Sequence, residues 1–153
     1  MKIKDIKAYE LLDSRGNPTV GVEVNLSDES VGLALVPSGA STGKYEAIEK
    51  RDSEKDRFLG KGVLVAVNSI HNDILPLLRD KDASDLFGND LLMIEEDGTD
   101  SKGNFGANAI LAVSLACAKA AASSMKINLH EYINNKASEF YGRKIEQNLP
   151  IPM

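Results

Sequence analysis

The first forty residues alternate between apolar and polar side chains, and this period of two is typical of half-buried strands. The clearest alternation covers residues 19–26, and its apolar positions are Val20, Val22, Val24 and Leu26. A second one follows the polar turn residues 27–30 and consists of Val31, Leu33 and Leu35. A weaker strand pattern covers residues 3–12. The amino-terminal part of the chain therefore predicts three strands.

The stretch between the first two predicted strands, DSRGNP at residues 13–18, has the composition of a tight turn. Gly16 tolerates a positive φ, and Pro18 disfavours the helical conformation at Asn17. Because short turns join antiparallel neighbours, the three strands are expected to form an antiparallel meander.

After about residue 60 the apolar positions recur with the period of a helix. One face of the first predicted helix carries Val63, Val67, Ile70, Ile74, Leu77 and Leu78. Pro76 lies near the end of that helix and is expected to kink it. Three further helices are predicted over residues 83–94, 105–125 and 129–137. A polar loop is predicted at 95–104, and Asn128 is expected to cap the last helix.

Strands followed by helices are typical of the α+β class. We therefore predict a three-stranded antiparallel meander followed by a helical bundle that packs on one face of the sheet. The Ala-rich sequence at 105–125 favours close packing, because small side chains let a helix approach its neighbour. Residues 147–153, QNLPIPM, contain two prolines and are expected to be extended.

The composition is that of a globular protein, with 42% hydrophobic and 27% charged residues. A net charge of −5 argues against a nucleic-acid partner, because such binding depends on clustered Lys and Arg. The single cysteine, Cys117, excludes an internal disulfide and favours a cytoplasmic setting, and its Ala-rich surroundings indicate a core residue. We expect no membrane span, because no apolar run was found that approaches roughly 20 residues.

The stretch VPSGASTGKYEA, residues 36–47, has the glycines, hydroxyls and lysine of a phosphate-binding loop. The P-loop spacing fails, because three residues instead of four separate Gly39 from Gly43, and Tyr45 follows Lys44 where Ser or Thr is required. Two interpretations stay open. The stretch is a flexible connection, or it is a mobile loop that binds a hard cation such as Mg²⁺ through oxygens that include the hydroxyls of Ser38, Ser41 and Thr42.

The remaining polar residues give weaker signals. His71 and His130 lie on separate predicted helices without a metal-binding spacing, so we interpret both as structural. Arg15 lies in a tight turn, and the pattern alone indicates a structural or interfacial residue. The acidic residues of the polar loop are better explained as a solvated surface than as a cation site; they are Glu95, Glu96, Asp97 and Asp100.

Three long stretches resemble the enolase family, whose members are phosphopyruvate hydratases. They are LLDSRGNPTV at 11–20, VPSGASTGKYEAIEKRD at 36–52 and NFGANAILAVSLACAKAAA at 104–122. The weaker GKGVLVAV at 60–67 and the final LPIPM fit as well. The stretches follow the family's order and spacing over nearly the whole chain. They resemble the smaller amino-terminal α+β domain of enolases, which precedes a larger α/β barrel.

The resemblance implies that residues 1–137 form this domain and that residues 138–153 are a linker to a barrel. In the family, the lysine base, the acid glutamates, the three main magnesium carboxylates and the substrate-binding histidine belong to the barrel. We therefore expect no catalytic residue in this chain, and we expect the chain to be part of a longer enzyme. The implied reaction is dehydration of 2-phosphoglycerate to phosphoenolpyruvate, with the isolated chain inactive.

The resemblance also implies a role for the glycine-rich loop. In enolases the matching loop closes over the active site as a lid; it comprises Ser38, Gly39, Ala40, Ser41, Thr42 and Gly43. The residue that matches Ser41 binds the second Mg²⁺ once substrate is present. The residue that matches Arg15 lies near the active-site mouth and the subunit contact. The full-length enzyme is implied to be a cytoplasmic homodimer, with an additional cell-surface or secreted pool.

Two features depart from the family pattern. Gly21 stands where many enolases carry an acidic residue at the dimer interface, so that ion pair is not carried over. Residues 134–147 are more polar and longer than the usual connection, and they are expected to form an extra surface loop. A different class of function also stays open, namely a stand-alone binding module that keeps the fold without the chemistry.

Overall fold

The structure is a computed structural model, and it describes residues 1–39 and 43–148. Three strands, β1 (Ile3–Leu12), β2 (Pro18–Leu26) and β3 (Val31–Val36), form one antiparallel sheet in the order β1-β2-β3. The predicted meander is confirmed. In the turn between β1 and β2, the N–H of Gly16 donates to the carbonyl of Asp13 (3.0 Å), and Gly16 has the positive φ (75°) expected of it.

Four helices follow the sheet: α1 (Leu64–Leu78), α2 (Leu86–Asp97), α3 (Ala107–Met125) and α4 (Leu129–Phe140). A short 3₁₀ turn, Phe58–Gly60, precedes them. Strands therefore come first and helices after, which confirms the predicted α+β class.

The kink expected near Pro76 takes the form of a wider turn in the middle of α1. Residues Ile70–Ile74 form a π-helical turn between the α-helical segments Leu64–Ser69 and Leu75–Leu78. Because Pro76 has no N–H, it cannot continue the regular hydrogen-bond pattern, and the wider turn accommodates the missing donor. Helix α1 is thus bent but not ended by its proline.

Helix α2 differs from its predicted bounds at both ends, because of residues that cap it. It begins at Leu86 instead of residue 83, since the side chain of Asp85 accepts a hydrogen bond from the N–H of Gly88 (3.1 Å). It continues through Asp97, into the stretch predicted as a polar loop, and ends at Gly98, whose φ of 66° is left-handed.

Helices α3 and α4 also differ from the predictions at one end each. Helix α3 begins at Ala107 instead of residue 105, because Gly106 has a non-helical φ of 95°. Helix α4 continues to Phe140, beyond the predicted end at 137. The extra surface loop expected over residues 134–147 is therefore wrong for residues 134–140, which are helical. The prediction that Asn128 caps α4 is wrong for its side chain, which makes no capping hydrogen bond; its carbonyl accepts one from the N–H of Tyr132 (3.0 Å).

Helix α3 packs directly on the sheet and forms the centre of the hydrophobic core, with mostly alanines among its buried residues. At Gly32 of β3, an added Cβ atom would lie 2.1 Å from the carbonyl oxygen of Ala116 and 2.3 Å from the nitrogen of Ala120. The backbones of the strand and the helix therefore touch, and only glycine fits between them. Cys117 is buried, which confirms it as a core residue, and burial raises the pKa of its thiol to about 12.

Helix α3 is also long and apolar enough to cross a membrane by length and composition, a run that the sequence reasoning overlooked. In this structure 61% of its most apolar stretch is buried inside the domain. Core helices of globular domains pass the same test, and the contacts of α3 with the sheet are those of a core helix.

The face of the sheet that points away from α3 carries large apolar side chains that the described helices leave exposed. Each is at least 38% exposed, and they are Tyr9, Leu11, Val31, Leu33 and Leu35. Tyr9 pairs with Gly21, and Gly21 pairs with Leu35, so apolar side chains of β1 and β3 flank a glycine of β2. We call these five side chains the outer apolar face.

Candidate functional site

The glycine-rich loop begins just after β3, and its first residue, Ser38, is held by two arginines. Nη2 of Arg15 donates a hydrogen bond to the carbonyl oxygen of Ser38 (2.7 Å), and Nη2 of Arg51 donates one to its hydroxyl oxygen (2.5 Å). Ser38 is therefore fixed through both its main chain and its side chain. Three of the predicted loop residues lie outside the described residues, namely Ala40, Ser41 and Thr42.

Arg15 reaches the loop from the turn between β1 and β2, which is built around Asp13. Oδ1 of Asp13 accepts hydrogen bonds from the N–H groups of Asn17 (2.9 Å) and Arg15 (2.8 Å), and its Oδ2 accepts one from Nη2 of Arg15 (3.2 Å). These bonds lower the pKa of Asp13, and the bond from the N–H of Asn17 contributes most. The turn thus aims Arg15 at Ser38, and its assignment to an active-site mouth stays a prediction.

Arg51 connects four stretches of the chain through its guanidinium group. Besides Ser38, it binds the carbonyls of Pro18 (2.7 Å) and Lys61 (2.6 Å) through Nη1. Oε2 of Glu49 accepts hydrogen bonds from Nε (3.3 Å) and Nη2 (3.0 Å) and so fixes the orientation of the group. The rigid fork of arginine makes these bonds compatible with one another. The sequence reasoning missed Arg51 and Glu49, because the other partners of Arg51 lie 10 to 33 residues away along the chain.

A cleft of about 670 Å³ opens beside Ser38. Its polar walls come from both ends of the glycine-rich loop, from the segment after it and from the start of α3: Ser38, Gly39, Gly43, Glu46, Glu49 and Asn108. Val36, Ile48 and Leu111 contribute apolar surface. The structure thus brings the three described residues of the predicted loop to one cleft.

The floor of the cleft is fixed by hydrogen bonds between residues 48–50 and the start of α3. The N–H of Ala107 donates to the carbonyl of Ile48 (2.8 Å). Asn108 is 3% exposed and binds both polar groups of the Lys50 main chain, accepting from the N–H (3.0 Å) and donating to the carbonyl (3.1 Å). Both the oxygen and the nitrogen of the buried Asn108 amide are hydrogen-bonded, so this part of the cleft is preformed.

A second charged cluster lies where α1 begins. Glu10 accepts a hydrogen bond from the N–H of Val63 (2.7 Å), and Asp52 accepts two from the next N–H groups of the helix (3.1 and 2.8 Å). Arg57 binds both carboxylates. The hydrogen bond from Arg57 is the main cause that lowers the pKa of Glu10, and Glu10 in turn raises the pKa of Arg57. The carboxylates therefore cap α1 from outside the helix.

The two histidines occupy structural positions. Nε2 of His71 accepts a hydrogen bond from the N–H of Ala8 in β1 (3.0 Å). His130 lies exposed near the start of α4, and its carbonyl accepts a hydrogen bond from Nε2 of Gln147 (3.3 Å). Across residues 1–39 and 43–148, no three His, Cys, Asp or Glu side chains are grouped as a metal site requires.

Asp97 departs from the solvated surface predicted for the acidic stretch, because it is 1% exposed. Its Oδ2 accepts a hydrogen bond from the N–H of Phe105 (2.7 Å), and its Oδ1 accepts from the hydroxyl (2.5 Å) and the N–H (3.2 Å) of Thr99. Burial alone would raise the pKa of Asp97, but these hydrogen bonds together lower it. Asp97 thus shapes the loop before α3, whereas its acidic neighbours are exposed as predicted: Glu95, Glu96 and Asp100.

These observations define a class of protein, an α+β domain with an arginine-held loop beside a cleft. Compared with known protein families, residues 3–133 match the family described as "Enolase, N-terminal domain". The match covers most of the chain, and the chain therefore belongs to the enolase N-terminal domain family. Three antiparallel strands followed by four helices agree with the fold of that domain.

Proposed function

We propose that this chain is the lid-bearing domain of an enolase, a lyase that dehydrates 2-phosphoglycerate to phosphoenolpyruvate in glycolysis. The observation that carries the proposal is the family match over residues 3–133. Catalysis requires a second domain, an α/β barrel that supplies the base and most of the metal ligands. The described part of the chain contributes the cleft and the groups that position its loop.

The glycine-rich loop is the proposed lid. Gly39 and Gly43 stand near its two ends, where a loop that opens and closes needs backbone freedom. Ser38, bound by Arg15 and Arg51, supplies a fixed point before the first glycine. Closure of such a loop expels water, which strengthens the electrostatic interactions inside the site.

Mg²⁺ fits the oxygen chemistry of this loop as part of a shared site. The ion takes about six oxygen ligands and usually keeps water or substrate oxygens among them. We propose that the hydroxyl of Ser41 supplies one ligand, with the others from the barrel, the substrate and water. When bound, the metal would supply Lewis-acid stabilisation of the substrate carboxylate. The residues of this chain position that ligand and exclude water, and none of them is the base.

The outer apolar face supports a protein partner in the complete enzyme, because exposed apolar patches mark interaction sites. Gly21 lies beneath Leu11, whose Cδ1 would be 2.7 Å from an added Cβ atom, so Leu11 stands where a longer side chain at position 21 would go. We propose that the complete enzyme is a cytoplasmic homodimer, with an additional cell-surface or secreted pool. Nucleic acid and membrane insertion are not part of the proposed function.

The proposal that catalysis needs both this domain and a barrel is tested by joining this chain, after residue 153, to the barrel domain of an enolase. Dehydration of 2-phosphoglycerate is measured with Mg²⁺ for the fusion, the barrel alone and the 153-residue chain alone. We expect activity only in the fusion. A fusion no more active than the barrel alone would favour the stand-alone binding module, and activity of the chain alone would mean that the base lies within it.

The role of Ser41 is tested in the same fusion by Ser41→Ala. Loss of one hard oxygen ligand is expected to raise the Mg²⁺ concentration needed for half-maximal rate and to lower the rate at saturation. Ser123→Ala, at an exposed position near the end of α3, serves as the control. An unchanged Mg²⁺ dependence in Ser41→Ala would contradict the proposed metal contact.

A further inference from the structure

We propose that Arg51 is a positioning residue for the cleft, because its bond to the Ser38 hydroxyl sets where the chain leaves β3 and enters the glycine-rich loop. This inference deepens the lid function proposed above and rests on it. Arg51 touches no reacting atom in this account, and it acts through Ser38.

Arg51 suits this role because it is anchored before it reaches Ser38. Its Nη1 binds the carbonyl of Pro18, at the start of β2, and the carbonyl of Lys61, just before α1. Glu49 binds the opposite side of the guanidinium and carries an opposite charge, so the group has one orientation. One N–H of the guanidinium is left by these partners. It belongs to Nη2 and is directed at the hydroxyl of Ser38. The position of Ser38 is thus tied to the sheet and to the approach to α1.

The bond to Ser38 is separable from the structural bonds of Arg51. Removal of the serine hydroxyl leaves the bonds from Arg51 to Pro18, Lys61 and Glu49 in place. The carbonyl of Ser38 also keeps its bond to Arg15. A substitution at Ser38 therefore tests positioning without removing the links that hold the segment to the domain, whereas removal of Arg51 breaks all of them.

The first experiment measures backbone motion in the 153-residue chain by ¹⁵N relaxation at the amide of residue 38, which precedes the first glycine of the loop. In Ser38→Ala we expect its order parameter to fall from the rigid range, roughly 0.85, towards 0.6 or lower, and in Ser38→Thr, which keeps the hydroxyl, to stay near the starting value. Ser123→Ala is the matched control. An order parameter in Ser38→Ala equal to that of the control would overturn the proposal, whatever the activity of any fusion.

The second experiment measures the Mg²⁺ dependence of the fusion with the barrel. Because Ser38→Ala removes a charge-assisted hydrogen bond, we expect it to raise the half-saturating Mg²⁺ concentration about tenfold. The unfolding midpoint of the domain is expected to stay close to that of Ser123→Ala. Ser38→Thr is expected to restore the original value. Arg51→Lys is expected to raise the half-saturating Mg²⁺ concentration at least as much, because it removes the same bond together with the links to Pro18 and Lys61. In the Arg51→Lys background, Ser38→Ala is therefore expected to add little.

The two experiments separate the two proposals. If the unaltered fusion is inactive, the proposed enolase function fails, and the order parameter of residue 38 still decides whether Arg51 positions it. If the fusion is active and Ser38→Ala raises the half-saturating Mg²⁺ concentration as much in the Arg51→Lys background as in the original chain, the positioning role is overturned while the enolase function stands.

Discussion

Two regions of this domain keep their shape by different means. Where α3 crosses the sheet, the packing is apolar and so close that backbone meets backbone at Gly32. Residues 43–63 contain only a 3₁₀ turn, and they are held by hydrogen bonds and ion pairs, among them those of Arg51, Arg57 and the Lys50 main chain. Close packing fixes the region around Gly32, whereas a small number of hydrogen bonds and ion pairs fixes residues 43–63. The second region borders the cleft, so the proposed function depends on few side chains.

The largest effect is expected where shape decides. Gly32→Ala places a methyl group against the carbonyl of Ala116, which cannot move without shifting α3. We expect a loss of about 3 kcal/mol in the free energy of unfolding, measured by urea denaturation. Gly103→Ala is the control, because its added Cβ would lie 3.6 Å from the nearest atom, an ordinary contact. Equal stability of the two variants would show that the strand and helix are not in contact as described.

A smaller effect is expected where directed bonds decide. Glu10→Gln removes the charge that Arg57 and the start of α1 share, and it should lower the free energy of unfolding by about 1 kcal/mol at pH 7, allowing for solvent screening. Because folding lowers the pKa of Glu10, its contribution is present above the ordinary value of 4.5 and is lost as the pH falls through the lowered value.

The decisive measurement for Glu10 is how the difference in free energy of unfolding between the original chain and Glu10→Gln depends on pH. Stability of the original chain and of Glu10→Gln is compared by urea denaturation from pH 7 downwards, and the two curves should converge in acid. Glu96→Gln, at an exposed position, provides the reference for a carboxylate without such partners. A constant difference at all pH values would mean that the charge of Glu10 has no stabilising role.

An effect of similar size but opposite sign is expected for a carboxylate in the apolar region. Asp90 lies between α2 and α3, and its Oδ2 accepts a hydrogen bond from the hydroxyl of Ser114 (3.1 Å). Its Oδ1 is buried without a hydrogen-bond partner in residues 1–39 and 43–148, and burial raises the pKa of Asp90. Burial raises the pKa values of Cys117 and Tyr132, and the charge of Asp90 adds to that rise.

Asp90→Asn is therefore expected to stabilise the chain by about 1 kcal/mol at pH 7, because a neutral amide is less costly to bury than a charged carboxylate. Folding raises this pKa, so the favourable contribution of Asp90 exists below the ordinary value of 3.8 and is lost as the pH rises through the raised value. The gain should vanish below pH 3.8. Asp73→Asn, on the exposed side of α1, is the control, and a pH-independent difference would contradict the burial of charge.

The contrast between the two regions also explains what could be predicted from the sequence. The strands were placed correctly because one buried face imposes a period of two on residues such as Val20 and Val22. Helix ends were misplaced where a single residue caps the helix, as Asp85 and Gly106 do. The contacts of Arg51 were not predictable, because they join residues far apart in sequence and leave no periodic signal.

Each edge strand of the sheet has a main-chain group that is bound by a side chain, and this bears on how the domain can aggregate. On the β1 edge, Nε2 of His71 accepts a hydrogen bond from the N–H of Ala8 (3.0 Å). On the β3 edge, Nζ of Lys119 donates to the carbonyl of Leu33 (2.8 Å). These two positions are closed to an added strand, so each edge is a less continuous template for strand addition and fibril growth.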